Sequence, residues 1–447
     1  MDAYVSFQAL MLSSSAGWDD TLVRSGSRSR REVAMIHVES IAFNHDPTGA
    51  SHDAINLRRN ATQWVNVPEW RRGLSINPED SPAAYAVART TGNSITIQAV
   101  FSCTDPTWTS AEVRALDNVV SPGIVFVQRP TGCLAWLVQV LLPLLRALVG
   151  NVLGDVEVRT VSFVGGMSGP SSFTLVHTRL DGAAVGARTT EWRWQYRRTA
   201  SDPWTDMEIT RHRIYTLLDL PTAPWQQTPY QQTNSQIPWT DVLDYACKWA
   251  LGARTAVEAG GGVTRGVNNL GPNVISYDCP NGGSSWYSSG GFDCTAFIER
   301  LKGGVGLGYY VNCSDCATFV STFANAVGCD LWQSRMGSGF FHLNPILGIG
   351  SSVWQPACHG IDNWSDGFGY HEVAWTGACD SNENVYDACL KVDGDADPTT
   401  APQVQLLPVN LRFGNPGDML YRDRLTVPDD RVNCSPLTYS RTRRLVS

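Results

Sequence analysis

Residues 311–329 read VNCSDCATFVSTFANAVGC, with two cysteines one helical turn apart. On a helix over 313–327, Cys313, Cys316, Ala317, Val320, Phe323, Ala324 and Val327 share one face, and Ser314, Thr318, Ser321, Thr322 and Asn325 take the other. Asn312 suits the N-cap, Asp315 the acidic place of a capping box, and Gly328 the position just past the helix end. Cys313 is then the first helical residue. A thiolate there meets the positive end of the helix dipole, which suits a nucleophile. The plainer reading is a small apolar residue in a core.

A cysteine nucleophile needs a base, and the base needs an orienting group. His371 in YHEVAW and Asp387 in VYDACL fall on successive strand patterns. Adjacent antiparallel strands can put them side by side. Cys316 and Cys294, each preceded by Asp, are the alternative nucleophiles. An oxyanion hole needs N–H or O–H donors near the sulfur. The backbone of Cys313 supplies one, and Tyr309, Tyr310 or Asn312 is a candidate for a second.

A zinc site built on Cys313 and Cys316 would need Cys358, His359, His371 or Cys379 to complete it, and no second C-x-x-C exists. Asp393, Asp395 and Asp397 imitate the start of a calcium loop without its glycine and closing glutamate. No metal and no cofactor is expected. His177 and His212 sit in strand patterns as surface or core residues. His342 and His359 lie between the site helix and His371, where they could line a cleft.

The ordered set Cys313, His371, Asp387 resembles the transglutaminase-like superfamily over about residues 240–395. Ala317 and Gly328 stand four and fifteen residues after the cysteine, Phe323 at an aromatic position of the family, and Trp375 after the histidine, as the family has them. After the glycine this chain reads Cys329-Asp330-Leu331-Trp332, where the family often has I-P-A-R. DCATFVSTFANAVG and HEVAWTG also resemble NlpC-type cell-wall peptidases, which would move the nucleophile to Cys316. Both resemblances imply a papain-like fold. They also imply a cysteine enzyme acting on an amide or peptide bond of a protein or peptide, as peptidase, amidase, deamidase or transglutaminase.

These residues need elements to position them. Residues 1–32 are Ser-rich and then basic, a disordered lead-in. From 33 to 219 short alternating segments such as NSITIQAVFSC and EWRWQYRR, separated by turn residues, predict a β-sandwich. Residues 220–239, rich in Pro and Gln, read as a linker. From 240 to 447 helical patterns precede strands, and the chain ends in a Pro-rich irregular tail. ARTAVEAGGGV reads as a helix ending in its glycine run, and GGVGLGYYV as a turn feeding a short strand. The fold class is α+β.

The net charge of −8 leaves no basic field for nucleic acid; the one dense basic cluster, Arg28, Arg30 and Arg31, belongs to the lead-in. The start lacks the basic residues of a secretory signal, and the apolar run Cys133–Val149 is broken by Gln139, Pro143 and Arg146, so it reads as buried rather than membrane-spanning. Twelve cysteines leave the compartment and the disulfide state open, and nothing sets the oligomeric state. The competing function is a non-catalytic binding or structural protein that keeps a papain-like scaffold.

Overall fold

Alternation along Ile95–Cys103 is complete: Ile95, Ile97, Ala99, Phe101 and Cys103 are buried, and the residues between them are half-buried. That period of two seats the strand in a half-covered sheet. The computed structural model describes residues 35–46, 53–90, 95–117, 152–227, 233–279, 283–352, 354, 366–400 and 404–447. The lead-in, the run Cys133–Val149, Cys358 and His359 lie outside these residues. Among the described residues no helix is long and apolar enough to cross a membrane.

The strands expected as a sandwich are hydrogen-bonded into one ten-stranded sheet. It runs from Trp70–Arg71 through Ile36–Ala42 and Ile95–Cys103, then by Met167–Ser168 and Ser171–Val176 to Asp155–Val164. Ser110–Asp117, Gly186–Arg197, Thr205–Leu217 and Ala83–Ala86 complete it. Only the last pairing is parallel. The sheet curls until strands far apart in its order meet through their inner faces. Phe43 stacks on Trp192 at 5.6 Å, and Phe101 meets Trp194 edge-on at 5.5 Å. His212 is walled in by Phe43 and Trp192, and burial pushes it down to about 3. It is a core residue bonded to Thr210 Oγ1, whereas His177 is exposed beside Asp155.

The remainder is mixed. Helices Thr240–Trp249, Ala256–Asn268, Cys294–Leu301 and Cys313–Ala326 accompany a five-stranded antiparallel sheet. Its order is Val409–Arg412, Asn384–Tyr386, His371–Trp375, Trp332–Met336, Pro436–Thr442. The helix expected to stop at its glycines runs through them to Asn268. Those glycines permit close approach: a Cβ on Gly262 would lie 2.6 Å from the Trp249 carbonyl, and one on Gly266 2.2 Å from the Trp249 ring. The GGVGLGYYV turn does feed a short strand, Tyr310–Val311, paired in parallel with Ser276–Tyr277.

The described parts of the Pro- and Gln-rich stretch lie on the helix Cys313–Ala326 instead of spanning open solvent. Thr222 donates to the Asn325 carbonyl at 3.0 Å, and the Trp225 indole to the Thr322 carbonyl at 2.9 Å. Trp225, Ile237 and Trp239 are buried. Apolar side chains spaced among prolines do not show helical or strand periodicity, yet they bury as well as periodic ones do. Trp225 and Trp239 join one apolar cluster that runs from Ile55 and Tyr215 to Phe323 and Val446.

Candidate functional site

The site helix spans Cys313–Ala326 and begins where the sequence places it. The Asn312 side chain accepts from Asp315 N at 3.1 Å, and Asp315 returns a bond to Asn312 N at 3.1 Å. At the far end Gly328 adopts φ +93, and a Cβ there would meet the Asp219 backbone at 2.5 Å.

Asp315 does more than cap. Fully buried, its carboxylate also accepts from the backbone of Trp286, Tyr287 and Ser288 at 2.9–3.0 Å and from the hydroxyls of Ser285 and Ser288 at 2.8 Å. The loop around 285–288 is thereby tied to the helix start beside Cys313.

His371 opens its strand, and Asp387 immediately follows the neighbouring strand Asn384–Tyr386. Ala374 pairs with Tyr386 and Trp375 with Val385. His371 Nε2 lies 3.1 Å from Asp387 Oδ2, with both side chains buried. Asp387 Oδ1 accepts from Cys389 N at 2.8 Å and Leu390 N at 3.2 Å, and Oδ2 also accepts from the Tyr421 hydroxyl at 2.7 Å. Phe368 stacks on the imidazole at 5.4 Å. The Cys313 thiol lies near enough to the same ring to raise it, after the larger effect of Asp387. With Nε2 facing Asp387, Nδ1 is the nitrogen left over, and among the described residues no hydrogen-bond partner meets it.

A second link keeps the helix and the strand in register. The residues after Cys313 and His371 bond to each other: Ser314 Oγ donates to Glu372 Oε2 at 2.7 Å. Arg444 grips the same carboxylate at 2.6 and 3.0 Å, and Arg335 adds a contact at 3.4 Å. Burial raises Glu372, but the Arg444 hydrogen bonds and charge outweigh it and hold the carboxyl below its usual range. Neither Tyr421 nor this cluster has a sequence signal, because each partner arrives from a distant segment.

Burial on its own would lower His371. The Asp387 charge, the hydrogen bond to it and the Cys313 thiol together reverse this and push it up to about 10. A base raised in this way stabilises the fold while protonated. That contribution is complete below the ordinary imidazole value and is lost as pH climbs through about 10. Between about pH 7 and pH 10 the melting temperature of wild type is expected to fall more steeply than that of His371→Ala. Parallel slopes in a thermal-shift series would contradict the assignment.

The alternative nucleophiles are placed differently. Cys316 is 1% exposed and faces Cys389, whose hydrogen bond lowers the thiol; burial and the charges of Asp315, Asp387 and Cys313 together outweigh that bond and leave it raised. Cys294 opens the helix Cys294–Leu301 but is fully buried, which pushes its thiol far up. Cys313 keeps 5% of its surface and is a free thiol, as Cys316 is. Cys279 is disulfide-bonded. Two of the three candidate side-chain donors for an oxyanion are committed elsewhere. The Tyr309 hydroxyl donates to Pro272 O at 2.6 Å, and the Asn312 amide to Gly283 O at 2.8 Å. The N–H of Cys313, as the first helical residue, has no intrahelical acceptor. His342 pairs with Asp430 at 2.6 Å on the surface. Among the described residues no three His, Cys, Asp or Glu side chains gather as a metal site.

No family model matches the chain, and no curated protein matches it in sequence. Among solved structures, red sea bream transglutaminase aligns with 66% of this chain at 12% identity and a TM-score of 0.31. The chain covers 48%, about half, of that enzyme's length.

Proposed function

We propose that the protein is a cysteine-dependent acyl-transfer enzyme acting on an amide or peptide bond, with Cys313, His371 and Asp387 as its triad. The observation that carries this reading is the buried His371–Asp387 pair, 3.1 Å apart, with a helix-initial thiol interacting with the same imidazole. A satisfied core histidine would need only one of these partners.

In this reading the Cys313 sulfur attacks the carbonyl carbon. A carbon–sulfur bond forms and the oxygen takes up negative charge, which the helix-start N–H can meet. His371 passes its proton to the departing nitrogen, the carbon–nitrogen bond breaks, and a thioester remains. Water or an amine then attacks the thioester and its proton returns to His371. The carbon–sulfur bond breaks, freeing acid or new amide and restoring the thiolate–imidazolium pair. Asp387 keeps the imidazole oriented throughout. Trp286, whose N–H holds Asp315, and Tyr370, directly before His371, are exposed aromatics near the helix start and the histidine, a chemistry that suits a peptide segment.

The test is ammonia release from a glutamine-containing protein, with and without an added primary amine. Release that disappears in Cys313→Ala is expected, and incorporation of the amine marks transamidation. Release that persists in Cys313→Ala would overturn the reading.

A further inference from the structure

We propose that Tyr421 is a positioning residue of this site, fixing the Asp387 carboxylate in the orientation that meets His371. The inference rests on the acyl-transfer reading above and adds a fourth group to it.

Asp387 follows a three-residue strand and enters a turn, so its backbone is not held by a ladder on both sides. Its Oδ1 is anchored locally by two N–H groups of that turn. Its Oδ2 is the oxygen that faces His371, and the local chain offers it nothing. Tyr421 supplies the missing constraint from a distant segment. Its hydroxyl reaches the same Oδ2 at 2.7 Å, closer than His371 at 3.1 Å. With both oxygens engaged, rotation of the carboxylate would break at least one bond to a buried donor.

The phenol is itself rigidly held. Tyr421 is fully buried, opens the short helical turn Tyr421–Leu425, and lies 6.1 Å from the Phe413 ring. That turn is braced by Asp423, which accepts from Gly417 N at 2.8 Å and Met419 N at 2.9 Å. Burial and the neighbouring Asp387 charge push the phenol far above its ordinary value, so it stays a donor. The titratable groups around the pair are Cys313 against His371, and Cys316, Cys389 and Tyr421 against Asp387.

The test is the titration of the His371 ring protons by NMR in the full chain, alongside the rate of Cys313 alkylation by iodoacetamide. Tyr421→Phe keeps the ring and removes only the hydroxyl. If Tyr421 positions Asp387, its loss lets the carboxylate turn away. His371 then titrates lower by about one unit or more, and Cys313 alkylation slows about tenfold. An unmoved titration, or one moved upward because Oδ2 loses a competing donor, overturns the proposal. On an Asp387→Asn background Tyr421→Phe is expected to change neither readout further, since it acts through that carboxylate. An equal further loss there marks a merely structural tyrosine and also overturns it. Wild-type alkylation that ignores His371→Ala would instead overturn the acyl-transfer reading, so the two failures are distinguishable.

Discussion

His371→Ala is expected to reduce turnover on the order of a thousandfold or more, the usual loss when a triad member is removed. Without the imidazole nothing activates the Cys313 thiol, and nothing delivers a proton to the leaving nitrogen. The variant is also expected to melt lower. His371 is completely buried and stacked on Phe368, so its removal opens a cavity and strips Asp387 of its buried partner. A cost of about 2–4 kcal/mol follows. A lowered melting temperature therefore does not separate enzyme from scaffold, since both readings require it. Turnover separates them: activity within a few-fold of wild type in a folded His371→Ala protein would contradict the triad. Asp387→Ala is expected to lose less turnover, because it acts by orientation.

Asp315→Ala is expected to produce the largest loss of stability. Six donors converge on this one buried carboxylate: four backbone N–H groups and two hydroxyls. Alanine leaves the buried N–H groups of Tyr287, Ser288 and Asn312 unsatisfied and removes half of the capping box, while the hydroxyls of Ser285 and Ser288 keep each other at 2.7 Å. Each orphaned buried donor costs about 1–3 kcal/mol before relaxation. A net loss of about 4 kcal/mol or more is expected, a large share of the stability of an ordinary domain. Asp315→Asn should lie between, since its one carbonyl oxygen still accepts while its amide faces donors. Urea denaturation gives the comparison. A shift below about 1 kcal/mol for the alanine variant would show that the loop around 285–288 does not depend on this anchor.

How far the sequence reveals this site follows from the range of each interaction. The helix start was legible because its signals are local: Asn312, Asp315 and Gly328 act within a turn of the helix they bound. His371 and Asp387 were legible because each lies at the end of a short strand pattern, and the two strands pair. Tyr421 was not, because a lone tyrosine in an irregular region carries no periodic signal. The Ser314–Glu372–Arg444 link was hidden for the same reason, three segments meeting only in space. The glycine run misled because Gly lowers helix propensity, while here the missing side chains admit Trp249 and let the helix continue. The Pro- and Gln-rich stretch misled because burial of Trp225, Ile237 and Trp239 does not need periodicity. The curl of the large sheet depends on strand order, which alternation does not encode.

Burial pushes the thiols of Cys247, Cys329, Cys379 and Cys434 up to about 12 and those of Cys294 and Cys389 well up too; among the described residues Cys313 is the thiol placed at a helix start near an imidazole. Site-resolved alkylation by iodoacetamide near neutral pH, followed by peptide mapping in wild type and His371→Ala, therefore tests the central claim most directly. Cys313 is expected to be modified first in wild type and at least tenfold more slowly in the variant. Modification of Cys316 or Cys294 ahead of Cys313, or a Cys313 rate unchanged by His371→Ala, would contradict it.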